Sequence, residues 1–169
     1  VDVRGRWAAL FADLEGELDA ADAADLDDEV TDRAGYEVAR LTLTDRLTAA
    51  EGRAVTVTVT GAGPVRGTLT DSAPGWLVVG DALVPTTAVQ AIAGLPAHAA
   101  QPGPVRRRLT LTYALRAIAS QRGPVALTTI DGRTSHGTID RVGADFVDVT
   151  TERGPSTIPY AVIATVRPG

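Results

Sequence analysis

Residues 137–149 read GTIDRVGADFVDV, and residues 67–79 read GTLTDSAPGWLVV. Each stretch sets a Gly-Thr pair before alternating aliphatic positions, then a turn, then an aromatic that opens a new run of strand formers. Between 55–79 and 125–149 the two copies keep a constant offset of seventy residues with no gap. What they share are the glycine, the aliphatic positions and the aromatic (Trp76 or Phe146). What they do not share are charges: Asp140, Arg141 and Asp148 stand where the first copy has Thr70, Asp71 and Val78. The common part is therefore read as scaffold, and the unshared charges as the place where the copies could differ in function.

The duplication extends outward from these segments. RLTLT occurs at 40–44 and again at 108–112, each time leading into a short helical pattern, DRLTAAEG or YALRAIASQRG. A strand-like run follows, AVTVTVT at 54–60 or VALTTI at 125–130, and then a glycine turn, GAGP or DG. Glycine suits such turns because it adopts positive φ without steric cost. Beyond the aromatic strand, each copy has a short strand closed by proline, ALVP at 82–85 or STIP at 156–159, and a last apolar strand, AVQAIAG or AVIATVR. Gly67 and Gly137 fall inside strands, where glycine marks a sharp bend or a close backbone approach. Each unit thus reads as one short helix and five short, bent, antiparallel strands.

The stretch GLPAHAAQPGPV between the copies, with three prolines, reads as a linker. In front of the first copy, Trp7, Leu10, Phe11, Leu14 and Leu18 follow the 3.6-residue helical period. A second helical pattern runs from Leu26 to Leu41, with Asp25 placed to cap it and Asp27, Asp28 and Glu29 in its first turn, where the helix dipole favours carboxylates. The expected organisation is an acidic amphipathic helical hairpin over 1–39, a first unit over 40–95, a linker over 96–107 and a second unit over 108–169.

An aliphatic strand, a DG turn, GTIDRVGADFVDV, a variable loop and then TIPYAVIATV together resemble the Sm-like (LSm) small β-barrel family. The likeness covers 108–169 well and 40–95 more loosely. It implies two Sm-like five-stranded barrels, each with a preceding short helix; with the N-terminal helical hairpin, which lies outside the likeness, the expected fold is α+β. RNA-binding Sm domains carry an Asn after the first motif and an Arg-Gly in the second. Here the corresponding places hold TTERGPSTIPY in the second copy and VVGDALVP in the first, so no residue of a uridine pocket is carried over.

Composition bounds the chemistry. The chain has 169 residues and no cysteine, which excludes disulfides and thiolate metal sites. All sixteen basic residues are arginine. The net charge of −5 conceals a segregation: residues 13–32 hold ten carboxylates and no arginine, while 33–169 hold fourteen arginines against ten acids. An acidic whole-chain pI therefore does not by itself argue against nucleic acid. No apolar run reaches the roughly 18–20 residues of a membrane helix, and a cytoplasmic protein without membrane contact is expected.

The two histidines, His98 and His136, lack metal-ligand spacing, and strand alternation sends the side chains of Ser135 and His136 to opposite faces. GAGP lacks the lysine and following helix of a phosphate loop. No catalytic residue, metal site or cofactor is expected, nor a small-molecule substrate, and the chain is not expected to be an enzyme. The leading expectation is a non-enzymatic interaction or assembly module that binds a protein partner or self-associates, with Trp7, Leu10, Phe11, Leu14 and Leu18 as a docking helix face. The alternative is an RNA-binding Sm-like regulator that contacts phosphate through Arg106, Arg107, Arg108, Arg133, Arg141 and Arg153.

Overall fold

The computed structural model describes residues 38–169, of which Thr42–Gly169 form one unit. The front hairpin, with Trp7, Leu10, Phe11, Leu14 and Leu18, lies outside the described residues.

Both copies of RLTLT do the same local work. Helix α1 (Leu43–Ala50) is capped by Thr42, and helix α2 (Leu111–Ser120) by Thr110, whose hydroxyl accepts from the Tyr113 N–H. At α1 the cap is reciprocal. The Thr42 hydroxyl accepts from the Asp45 N–H at 3.2 Å, and the Asp45 carboxylate accepts from the Thr42 N–H at 2.9 Å. That backbone hydrogen bond, followed by the one from the Thr42 hydroxyl, holds the Asp45 carboxyl below the usual aspartate range. A depressed folded-state pKa stabilises above the unfolded value and is lost as pH falls through the folded value. Asp45→Ala is therefore expected to be less stable than the wild type near neutrality, with the gap closing on acidification below the ordinary aspartate pKa of about 4. Urea unfolding across pH checks this; a gap that persists unchanged at about pH 2 refutes it.

Five strands follow each helix. In the first half they are β1 (Ala54–Val59), β2 (Gly63–Ala73), β3 (Trp76–Val79), β4 (Ala82–Pro85) and β5 (Val89–Ala93). In the second they are β6 (Val125–Thr129), β7 (Thr134–Val142), β8 (Phe146–Thr151), β9 (Gly154–Pro159) and β10 (Ile163–Pro168). The pairings reproduce the seventy-residue offset residue by residue. Val55 faces Gly67 as Val125 faces Gly137, and Leu69 faces Val79 as Ile139 faces Val149. The ladder slips at the same place in both copies, between Leu69 and Asp71 and between Ile139 and Arg141. Such bulges bend the strand and increase its twist. The proline that ends the fourth strand faces the aromatic in each case, Pro85 opposite Trp76 and Pro159 opposite Phe146.

The expectation of two closed five-stranded barrels, each behind its own helix, is overturned. The ten strands form one continuous antiparallel sheet in the order β5-β1-β2-β3-β4-β10-β6-β7-β8-β9, open at both ends. Closing the first half would require β4 to reach β5. Instead β4 is taken by β10, with Leu83 opposite Val166, and Arg167 pairs with Asp81 at 3.3 Å beside that contact.

The cores explain the preference. One cluster gathers Leu47, Val57, Leu69, Leu77 and Val84 of the first half, and it also takes Ala164 of β10. The other gathers Leu115, Leu127, Ile139, Val147 and Val149 of the second half, and it also takes Ala73, Trp76 and Leu83 of the first. Trp76 is only 3% exposed, and its indole N–H donates to the Leu109 carbonyl at 3.1 Å. Each half thus lends side chains to the other's core, and β4 gains more burial on β10 than as a free edge. The aromatic that opens the third strand serves the opposite half, a role its place in the repeat does not reveal.

Candidate functional site

Three features of the described residues bear on function: the arginines, the two ends of the sheet, and a cleft between two hairpins of the second half.

The arginines do not form one surface. Arg106, Arg107 and Arg108 make a single 3₁₀ turn after the linker. The Arg106 guanidinium is turned inward. It pairs with the Glu51 carboxylate and, at 3.2 Å, with Asp71. Glu51 also accepts from the fully buried Ser72 hydroxyl at 3.1 Å. The hydrogen bond that Arg106 donates to the Glu51 carboxylate holds the Arg106 proton more tightly than usual, so this residue works as a clamp of the linker on the first half. Arg107 is occupied by the Pro102 carbonyl and the Gln101 side chain, while Arg108 is exposed. Arg141 lies 3.8 Å from Asp148 on the outer face of β7–β9, within a surface hollow of about 510 Å³ that Asp140 and Asp148 also line. Both carboxylates there are already engaged, Asp140 by the Thr150 hydroxyl and Asp148 by the Thr157 hydroxyl, each at 2.6 Å.

Arg133 and Arg153 are the pair that the fold does bring together. They border a cleft of about 690 Å³ between the β6–β7 and β8–β9 hairpins, with Thr134, Ser135, His136, Thr151 and Glu152 completing its lining. Asp131 holds one edge of Arg133 at 3.3 Å, leaving its terminal nitrogens free, and Arg153 has no ion pair among the described residues. Asp131 is itself drawn below the usual aspartate range, first by the Thr129 hydroxyl and then by the Arg133 N–H. Ser135 and His136 both border this cleft despite strand alternation, and no hydrogen bond joins them among the described residues. His98 is exposed in the linker. Among the described residues no group of three or more His, Cys, Asp or Glu side chains is placed to hold a metal ion, and no helix is long and apolar enough to cross a membrane.

The sheet ends at β5 and β9. The repeat relates β5 to β10 and β9 to β4, the two strands joined at the centre of the sheet. Pairing residues of the two halves in this way sets Ile92 in the place of Val166, since they face Val57 and Leu127 respectively. It also sets Ile158 and Pro159 in the places of Val84 and Pro85. The open ends are thus copies of the two surfaces that already meet inside the molecule. A barrel would close these edges; they stay free because β10, not β5, pairs with β4.

No family model, curated protein or solved structure matches the chain.

Proposed function

We propose that this protein is a non-enzymatic assembly module that self-associates head to tail through its sheet edges, β9 of one copy adding to β5 of the next. The observation that carries the reading is the central β4–β10 junction, because β9 and β5 occupy the equivalent places at the two open ends. The β5 edge, VQAIA, bears no charge and no proline, the two devices that usually protect an exposed edge. The β9 edge offers Ser156 and Thr157 where β4 offers Ala82 and Leu83, and the half-buried Phe146 stands where Trp76 is buried. Contact between copies therefore buries less apolar surface than the internal junction and is reversible. Because two different surfaces meet, the association is heterologous, and it gives rings or open chains according to the rotation between copies. A cytoplasmic setting suits a chain without cysteine.

Two edge-blocked variants test this. Ala91→Lys with Ala93→Lys charges β5, and Ser156→Lys with Thr157→Lys charges β9; all four positions are exposed. In size-exclusion chromatography with light scattering, the wild-type mass is expected to grow with concentration and each variant to stay monomeric. An equimolar mixture of the two variants is expected to form one-to-one pairs, since each retains the edge the other lacks. A wild-type mass that remains monomeric throughout, or a β5 variant that associates like the wild type, refutes the proposal. The RNA-binding alternative is less well supported, because Arg106 is internally paired and the other candidate arginines are divided among separate places.

A further inference from the structure

The cleft between the β6–β7 and β8–β9 hairpins is lined by segments that differ between the two halves, although the strands that carry them are duplicated. In the first half the hairpin joining Trp76 to Pro85 is four residues shorter than the one joining Phe146 to Pro159. Thr151, Glu152 and Arg153 belong to the longer connection. At the other wall, the repeat places Gly63, Val65 and Arg66 where the second half has Arg133, Ser135 and His136. Two changes at separate points of the chain, one an insertion and one a set of substitutions, therefore meet in space and build one polar cleft. Neither is required by the packing: Arg133, His136, Glu152 and Arg153 are all exposed and belong to neither core.

The chemistry of the cleft is that of a donor set. Among the described residues, the terminal nitrogens of Arg133 and the side chain of Arg153 have no partner. The side chains of His136 and Ser135 have no hydrogen-bond partner among the described residues. A planar guanidinium presents paired N–H donors that match two oxygens of a phosphate, and two of them on facing hairpins can hold one phosphate group from both sides. The Glu152 carboxylate repels a bare anion but accepts from a hydroxyl, as on a sugar carbon near an esterified phosphate.

We infer that this cleft binds a small phosphate ester of a hydroxylated molecule, with Arg133 and Arg153 on the phosphate and Glu152 on a neighbouring hydroxyl. A nucleic-acid strand fits less well. No aromatic side chain lines the cleft for base stacking, and two of the other candidate phosphate contacts are paired, Arg106 with Glu51 and Arg141 with Asp148.

Isothermal titration with ribose 5-phosphate tests the inference, using Arg153→Ser and Arg133→Ser with a thermal melt of each variant as a control of folding. Saturable binding by the wild type is expected, with at least about a tenfold loss in each variant, in line with removal of a charge-assisted hydrogen bond. Glu152→Gln is expected to weaken ribose 5-phosphate while improving inorganic phosphate, a pattern that general loss of structure cannot produce. The inference fails if wild-type protein binds no ribose 5-phosphate, or binds it equally well in both arginine variants. It fails also if a short oligouridine binds through these arginines while ribose 5-phosphate does not. None of these outcomes depends on whether the protein self-associates.

Discussion

Trp76→Ala is expected to destabilise the folded unit by about 3–5 kcal/mol, the range for deleting a large buried aromatic. The side chain is 3% exposed and packs among Leu83, Leu115 and Val147 in the cluster centred on the other half. Its removal leaves a cavity where the two halves meet and deprives the Leu109 carbonyl of its indole donor. Trp76→Phe restores part of the volume but not the hydrogen bond, so it should recover part of the loss. Because each half contributes side chains to the other's core, the wild type should unfold in a single transition in urea monitored by circular dichroism. Trp76→Ala should lower the midpoint, and it should separate the transition into two if the remaining contacts no longer couple the halves. A loss below about 1 kcal/mol, the level of ordinary surface substitutions, would show that the halves do not depend on this residue.

Gly137→Ala is expected to be the most damaging of the glycine substitutions within the strands, and Gly67→Ala much milder, although the two positions are equivalent in the repeat. A Cβ at Gly137 would lie 2.2 Å from the Thr150 carbonyl oxygen and 2.9 Å from its carbon, both backbone atoms of the paired strand β8. It can be accommodated only by opening the β7–β8 ladder, at a cost of about 3 kcal/mol, the upper part of the range for overpacking. At Gly67 the nearest atoms are the Gly80 nitrogen at 3.0 Å and its Cα at 3.1 Å. Gly80 lies in the tight β3–β4 turn and can shift by a few tenths of an ångström, so about 1 kcal/mol is expected there, offset in part by the lower chain entropy of alanine. Paired denaturation curves of the two variants check the difference; equal costs would refute it.

These two residues mark the limits of what is legible in the chain. The bend at Gly137 follows from a glycine set among strand formers, and the clash that makes it obligatory arises within one hairpin. Helix caps at Thr42 and Thr110, the hairpin pairings of consecutive strands, and the prolines facing Trp76 and Phe146 are likewise local, set by residues close in sequence. The cleft was half visible: the longer second hairpin and the substitutions at 133–136 can both be read, but only the fold places Arg133 across from Arg153. The sequence offers Arg106 as a candidate phosphate contact, and its actual partners Glu51 and Asp71 are too distant in the chain for spacing to suggest them.

The duplicated unit of one short helix and five bent antiparallel strands is written in the chain, because periodicity, glycine placement and turn chemistry act over a few residues. That the two units share one open sheet is not, because it rests on contacts between distant segments. Strand β4 presents an apolar edge that β5 or β10 could equally satisfy in hydrogen bonds. The choice falls to β10 because Ala73, Trp76 and Leu83 are buried in the other half's core, and that depends on surfaces assembled from segments far apart in the chain.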